Sequence, residues 1–170
     1  HWAPCGTLIL GFPEETYKDV ELTIEIIEQL RKFKSIIVPL FFVAMGGLKD
    51  KAESFTWEKM NPTYSELFLK CWEHNLDWTP KFIEDLNRMG LKGTGARYGL
   101  KFILSYGIKR TKKLIDQCRD DYNYDMPAMI NDIKSGELNV SPLPERLIRR
   151  LLRLKPKKET NHSPLATCRV

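Results

Sequence analysis

The sequence predicts an α/β fold, with a β-α-β portion followed by an all-helical portion. A short apolar run ends at Gly11, and a capped amphipathic segment follows at once, as in a strand, a tight loop and a helix. A second apolar run follows within forty residues. From Lys49 onward, helical patterns are joined by short turns. The predicted domains are a β-α-β unit over residues 1–48, a helical domain over 49–155 and a disordered tail over 156–170.

The first strand and helix are predicted from the first thirty residues. Residues 7–10 are apolar from Leu8 onward, and the helix is expected from Thr16 to about Phe33. Thr16 and Asp19 have the spacing of a capping box, in which each residue satisfies a backbone N–H of the other. Apolar side chains then recur at helical spacing on one face, namely Val20, Ile24, Ile27 and Leu30.

The second strand is predicted over Ser35 to Val43. This run is rich in β-branched and aromatic residues, which is typical of a parallel strand that is covered on both faces. Strand, helix and strand together make a βαβ unit, for which a right-handed crossover is expected. Pro39 removes one backbone donor, so it belongs on an edge strand, at a strand start or at a bulge.

The remaining elements are predicted to be helices. Pro62 and Thr63 open the first of them, with Thr63 and Glu66 as a second capping box. The predicted helices are Pro62 to about Asn75, Thr79 to Met89, Ala96 to Cys118, Pro127 to Ser135, and a basic helix from Leu143 to Leu154. The glycine-dense stretch Gly93 to Gly99 is interpreted as a helix–helix connection, because it follows a helix and a dinucleotide loop needs a preceding strand.

Composition indicates a soluble, cytoplasmic protein. No run of about eighteen apolar residues is present, and the net charge of +5 is concentrated in residues 141–158, which hold seven cations and one acid. The four cysteines are widely spaced, so free thiols are expected, and three scattered histidines predict no metal site. The chain begins at His1 with a strand signal within ten residues, and it is interpreted as the carboxyl-terminal part of a longer protein.

The segment from Thr7 to Asp19 is the strongest functional signal. Gly11 lets backbone approach a ligand closely, Pro13 stiffens the loop, and the helix amino terminus at Thr16 offers unpaired N–H groups. Such a site suits the carboxylate or ribose end of a nucleotide-like ligand. The plainer interpretation is ordinary loop chemistry between a strand and a helix.

This segment resembles the radical S-adenosylmethionine (SAM) enzymes, whose penultimate strand often has the pattern G-x-I-x-G-x-x-E and continues Glu-Thr-x-x-Asp. The matching residues are Ile9, Gly11, Glu14, Glu15, Thr16 and Asp19; the pattern is not met at Thr7, where glycine is expected. The resemblance implies that the two strands are the last ones of a partial, TIM-like (β/α) barrel. It also implies cofactor-binding residues, with adenine contacts from Ile9, Gly11, Phe41 and Val43, and Glu14 at the acidic end of the motif.

The same resemblance implies the cofactors. Radical SAM enzymes bind SAM and a [4Fe-4S] cluster, whose ligands lie in a C-x-x-x-C-x-x-C loop that this chain lacks. The chain alone is therefore expected to be inactive, its partner is the remainder of the parent chain, and no catalytic residue is assigned. Residues 39–46 and 71–75 look like the tail of archaeal radical SAM proteins with a cobalamin-binding domain, which adds cobalamin as a candidate cofactor and methyl transfer as a candidate reaction.

Two alternatives remain open at this stage. One is a non-catalytic α/β scaffold whose basic helix binds nucleic acid, membrane or an acidic partner, although the absence of stacking aromatics beside its arginines disfavours nucleic acid. The other is a small α/β enzyme with a complete pocket of its own.

His74 is interpreted as a partly exposed residue of a structural helix and not as a catalytic group.

Overall fold

The computed structural model of the chain describes residues 3–88 and 94–140, and these contain two strands and four α-helices. The elements are β1 (Cys5–Leu10), α1 (Tyr17–Leu30), β2 (Ile36–Phe41), two 3₁₀ turns (Gly46–Leu48 and Trp57–Lys59), α2 (Pro62–Arg88), α3 (Thr94–Tyr122) and α4 (Met126–Ser135). The mixed α/β prediction is confirmed. The predicted basic helix from Leu143 to Leu154 and the predicted disordered tail lie outside the described residues.

The two strands are parallel neighbours, as the predicted βαβ unit requires. Their register pairs Cys5 with Ile36 and Leu10 with Phe41. The helix between them begins at the predicted capping box, because Asp19 Oδ2 accepts from Thr16 N at 2.9 Å and Thr16 Oγ1 accepts from Asp19 N at 3.4 Å. These bonds satisfy amides that a helix start would leave unpaired.

Helices α1 and α2 cover one face of the sheet. This core contains buried side chains from both strands and both helices, namely Leu10, Val20, Ile27, Ile37, Leu67 and Cys71. Burying one such aliphatic side chain is worth about 2 kcal/mol, so this layer is the main source of stability for a sheet of only two strands.

The opposite face of the sheet is apolar and open in the described part of the chain. The exposed fractions are 52% for Ile9, 37% for Ile36 and 46% for Leu40. The prediction that the second strand is covered on both faces is therefore wrong for the described residues. The reason is that α1 and α2 both pack on the face that carries Leu10 and Ile37.

A second core lies where α2 meets α3, α4 and the segment after β2. Its buried members are Phe42, Phe55, Met60, Leu69, Leu76, Ile115, Cys118, Met126 and Met129. Helix α2 contributes Leu67 and Cys71 to the first core and Leu69 and Leu76 to the second, so it connects the sheet with the two later helices.

Helix α2 differs from its prediction at two points, the cap at its start and the proline at position 80. Its first turn is capped by Asn61 and not by Thr63, since Asn61 Oδ1 accepts from Tyr64 N at 3.0 Å and Pro62 takes the first helical position. The predicted interruption before Pro80 is also wrong, because α2 is continuous from Pro62 to Arg88. Contacts on both sides of Pro80 hold the helix in place, since Trp78 Nε1 donates to Arg31 O and Lys34 forms an ion pair with Asp85.

The later helices are close to their predicted bounds. Helix α3 begins at Thr94 and ends at Tyr122, so the interpretation of the glycine-dense stretch as a connection is wrong for residues 94–99, which are helical. Residues 89–93 lie outside the described part. Asp125 caps α4 by accepting from Ala128 N at 3.0 Å, and Gly136 ends it with a φ of 83°. In the described residues, no helix combines the length and the apolar character that crossing a bilayer would need.

Candidate functional site

The carboxyl ends of the two strands meet at one edge of the sheet. The amide of Phe42 donates to the carbonyl of Leu10 at 2.9 Å, so the loop after β1 and the loop after β2 begin side by side. Ligands of α/β folds bind at such edges, because loops and helix amino termini converge there. This edge is therefore the candidate functional site.

Gly11 is the first residue of the loop after β1. Its backbone conformation and the nearby ring of Phe55 both require glycine at this position. Its φ is 75°, and a Cβ on this residue would lie 2.0 Å from Cδ2 of Phe55. The predicted close backbone approach at Gly11 thus exists, but the group that approaches on this side is Phe55 of the same chain. The side of Gly11 that faces the Phe55 ring is closed to a ligand.

Glu15 fixes the loop after β1 to helix α2. Its Oε2 atom accepts from Gly11 N at 2.8 Å and from Tyr64 Oη at 2.9 Å. Burial and the hydrogen bond to this carboxylate raise the pKa of Tyr64 well above its usual value, so the phenol stays protonated and donating. Glu14, the acidic residue predicted to bind the cofactor, is exposed beside it.

The roles of Glu15 and Tyr64 are not evident from the sequence. Glu15 also matches the motif, but the resemblance assigns a cofactor-binding role only to its neighbour Glu14. Tyr64 lies 49 residues further along the chain. No local spacing connects the two residues, and only the packing of α2 on the sheet brings them together.

The other predicted adenine contacts divide between the two faces of the sheet. Ile9 is half exposed on the open face, where its partner on β2 is Leu40. Phe41 lies on the helix side, with its ring centroid 5.4 Å from that of Phe55 and 6.1 Å from that of Phe68. Val43 follows β2 and is 57% exposed. Ile9 and Val43 are thus open to a ligand, whereas Phe41 acts partly as a packing residue.

Two polar residues of α2 attach this helix to β2. Asn75 exchanges two hydrogen bonds with the backbone of Ile37, at 2.8 Å and 2.7 Å. His74 Nε2 lies 2.9 Å from Ser35 Oγ and 3.2 Å from the carbonyl of Ser35, and the ring is fully buried. The prediction of a partly exposed His74 is wrong, while its structural role agrees with these contacts. Burial lowers the pKa of His74, which favours the neutral ring.

A charged cavity of about 300 Å³ lies between α1, α2 and α3. Asp77 accepts from Lys112 at 2.6 Å and from Arg31 at 2.8 Å, and Lys70 donates to Glu28 at 2.7 Å. Burial alone would raise the pKa of Asp77, but the hydrogen bonds from Lys112 and Arg31 lower it. Because these cations already pair with acidic side chains of the chain itself, we interpret the cavity as a charge network that joins α1, α2 and α3, and not as a ligand site.

An apolar groove of about 330 Å³ separates α2 from α3 and α4. Trp72 lies at this groove and is 44% exposed, and its ring contacts Phe68 at a centroid distance of 6.4 Å. Trp72 and Phe68, four positions apart on α2, therefore share one helix face. The groove lies on the helical part and not at the strand ends.

The described residues show no site for a metal. Over residues 3–88 and 94–140, no three side chains of the His, Cys, Asp and Glu types are grouped so that they could hold an ion. Cys5 is an exposed free thiol, while Cys71 and Cys118 are buried free thiols. Burial raises the pKa of Cys71 to about 12, so this thiol is protonated and unreactive.

Comparison of the chain with protein-family models, with curated proteins and with solved structures gives no match.

Proposed function

We propose that this chain is the carboxyl-terminal part of a radical SAM enzyme. In this proposal β1 and β2 are the last two strands of a partial (β/α) barrel, and the edge beside Gly11 and Val43 forms the adenine side of the SAM pocket. The observation that carries the proposal is the open apolar face of the sheet, on which Ile9 is half exposed next to the strand ends.

The one-sided covering of the sheet supports this assignment. A barrel has its helices outside and its ligand at the carboxyl ends of the strands, so one face of each strand packs on helices and the other faces inward. Parallel strands are ordinarily buried on both faces. Here α1 and α2 lie on one face, and Ile9, Ile36 and Leu40 remain exposed on the other.

The chain fits adenosine better than it fits an iron–sulfur cluster. Adenine is a flat ring with polar edges, and such a ring suits exposed aliphatic side chains, here Ile9 and Val43, beside backbone N–H and C=O groups. Glu14 is exposed at the same end. The three described cysteines are not grouped, so the cluster ligands belong to the remainder of the parent chain.

When bound in the parent enzyme, the cluster and SAM supply the radical chemistry, and this chain orients the nucleoside and excludes water. The proposal extends to methyl transfer and cobalamin only through the likeness of residues 39–46 and 71–75 to the cobalamin-binding subgroup. In this proposal the chain also contributes part of the substrate cavity.

The proposal is tested by binding of S-adenosylhomocysteine, which needs no cluster chemistry, to the complete polypeptide that contains this chain. Ile9→Ala and Val43→Ala should each weaken binding about fivefold, because each removes apolar contact worth about 1 kcal/mol. Leu22→Ala and Ile26→Ala are matched controls, since both residues are about half exposed on α1. Absence of binding by the unaltered polypeptide, or equal losses in the controls, contradicts the proposal.

A further inference from the structure

The apolar groove between α2, α3 and α4 has no part in the proposed function. It has a volume of about 330 Å³, and its walls include the aromatic side chains of Phe68 and Trp72 and the thioethers of Met126 and Met129. Trp72 is 44% exposed, although Met126 and Met129, which line the same groove, are buried. Grooves with aromatic walls and adaptable methionines bind the apolar face of an amphipathic helix.

The basic segment, defined as Leu143 to Leu154, has the sequence pattern of such a helix. Proline at position 144 suits a first helical turn. Five aliphatic side chains then recur at helical spacing on one side, namely Leu147, Ile148, Leu151, Leu152 and Leu154. The same spacing places four arginines on the other side, at positions 146, 149, 150 and 153. At 1.5 Å per residue a helix of this segment is about 17 Å long, close to the roughly 15 Å of α4 in the groove wall.

The described chain ends beside the groove. Gly136 ends α4, and Leu138 N donates to Asp132 O at 3.0 Å, so the backbone is held against α4 as it leaves the helix. Leu138 also packs on the core that contains Met126 and Met129. The seven steps from Val140 to Leu147 span up to about 24 Å, which is more than the length of the α4 wall. The tether is therefore long enough for the basic segment to follow the groove.

The charges of the groove region and of the basic segment are opposite. Residues 114–140, which contain the end of α3 and all of α4, hold six acids and two cations, whereas residues 141–158 hold one acid and seven cations. Asp121 is exposed and follows the groove residue Leu114 by seven positions, so the two share one side of α3. An acidic rim attracts a helix whose apolar face is bordered by arginines.

We propose that the groove between α2, α3 and α4 is the docking site for the basic segment of the same chain. In this arrangement the leucine face of the segment covers Trp72, and Arg149 and Arg150, which border that face, lie toward the acidic groove rim. The proposal goes beyond the proposed function and does not depend on it. It predicts that the remaining arginines, at positions 146 and 153, face away from the groove.

The short tether favours this occupant over a second copy of the chain. A segment tied to the groove by a short linker has a local concentration in the range of about 1 mM, whereas the segment of a second copy binds only at the concentration of the protein. The two occupants therefore differ in a property that can be measured. Docking within one chain does not change with protein concentration, and docking between two chains increases with it.

Photo-cross-linking in the 170-residue chain tests the proposal. Position 72 carries the photoreactive amino acid p-benzoylphenylalanine in place of Trp72, which keeps an aromatic group in the groove. Irradiation should join position 72 to residues 143–154 of the same chain, as identified by mass spectrometry of a proteolytic digest. Phe33 is the matched control position, because it is an exposed aromatic residue just after α1, and its yield of this cross-link should be at least about tenfold lower. A second photoreactive position at Thr111, on the α3 wall, leaves the contact of Trp72 with Phe68 intact and should give the same product.

Thermal unfolding of the same chain gives a second readout. Leu151→Ser should lower the melting temperature by about 3 °C, whereas Arg146→Ser on the opposite side should change it by less than about 1 °C. Trp72→Ala also removes its own contact with Phe68. If Leu151 covers Trp72, the double variant Trp72→Ala and Leu151→Ser should lose about 3 °C less than the sum of the two single losses.

Absence of the cross-link within one chain from both groove positions overturns the proposal, and so does an equal yield from position 33. Cross-links that join two chains, with a yield that rises with protein concentration, identify a second copy as the occupant and overturn the choice made here. Additive losses of Trp72→Ala and Leu151→Ser contradict the contact between these two residues. Because no readout involves S-adenosylhomocysteine, each outcome is independent of the proposed function.

Discussion

Gly11 and its neighbours illustrate how single residues set the shape of the strand-end loop. The sequence is sufficient to predict that a glycine is needed after β1, because the run of apolar residues stops there. It is not sufficient to predict the reason, since Phe55 lies 44 positions away and reaches Gly11 only through the second core. The same limit applies to Glu15, whose partner Tyr64 is equally remote in the chain.

Gly11→Ala should lower the free energy of unfolding by about 3 kcal/mol, because it combines a left-handed backbone conformation with a clash against Phe55. Gly6→Ala is the matched control, since no atom lies within 4 Å of its added Cβ, and it should change stability by less than about 0.5 kcal/mol. Urea unfolding of both variants gives the comparison. Similar stability of the two variants would show that Phe55 does not occupy this position.

His74 should make the fold sensitive to acid. Burial lowers its pKa in the folded state from the ordinary value of 6.5, so the unfolded state binds the proton more readily. The stability that depends on neutral His74 is fully present above pH 6.5 and is lost as the pH falls below that value.

The measurement is urea unfolding at pH 8 and at pH 5.5 for the wild type and for His74→Gln. Glutamine has an amide nitrogen near the position of Nε2 and does not titrate, so the variant should lose less stability than the wild type between these pH values. An equal loss in both proteins would assign the acid sensitivity to other groups.

Among the elements, α2 determines how the rest of the molecule is arranged. Local signals predict its start within a residue, but they also predict an end near Asn75, because proline at position 80 removes the bond to the carbonyl four residues earlier. In the structure the second half is anchored from outside. Trp78 Nε1 donates to Arg31 O at 3.2 Å, and Lys34 forms an ion pair with Asp85. These tertiary contacts outweigh the local signal of Pro80 for ending the helix, and no sequence pattern predicts them.

Pro80→Ala should stabilise the protein by about 1–2 kcal/mol. The substitution restores a helical N–H for the carbonyl of Leu76, and this gain exceeds the entropy that the unfolded chain regains. Lys81→Ala is the matched control on the next, exposed position and should be within about 0.5 kcal/mol of the wild type. Thermal unfolding followed by circular dichroism distinguishes the two, and a destabilised Pro80→Ala variant would mean that proline is needed for the path of α2.

At the scale of the whole molecule, the part that the structure describes is held by two cores and by the charge network between α1, α2 and α3. The mixed α/β class and the parallel strand pair follow from apolar patterns and from the capping box at Thr16, all of which are local. The open face of the sheet could not be predicted from the sequence. A continuous apolar run such as that around Val38 predicts burial on both faces, but it does not indicate which element covers the second face. Among residues 3–88 and 94–140, the absence of a layer over Ile9, Ile36 and Leu40 is a property of how the elements pack and not of β2 itself.

Asp77→Asn should weaken the charge network. Asp77 binds Arg31 of α1 and Lys112 of α3, and with its side chain about one third exposed the loss should be about 1 kcal/mol at low salt and smaller at 1 M salt. Hydrogen bonds from Lys112 and Arg31 hold the pKa of Asp77 below its ordinary 3.8. This contribution is therefore present above that pH and is lost as the pH falls through the lower, folded-state pKa.

Glu21→Gln is the matched control, because it removes one negative charge from the exposed face of α1. Urea unfolding in low and high salt separates the two variants. A loss in Asp77→Asn that does not change with salt would show that packing and not charge attraction is responsible.

The attachment of α2 to β2 also bears on the order in which the protein forms during translation. The strand pair and α1 are synthesised before α2, and the side chains of His74 and Asn75, which bind Ser35 and Ile37, leave the ribosome only more than thirty residues after β2. While α2 is still inside the ribosome, the β-α-β unit lacks the hydrogen bonds from His74 and Asn75 to β2. It also lacks the α2 side chains of the layer that covers Leu10. Ribosome pauses within α2 would prolong that vulnerable interval, in which chaperones have access to the unfinished sheet.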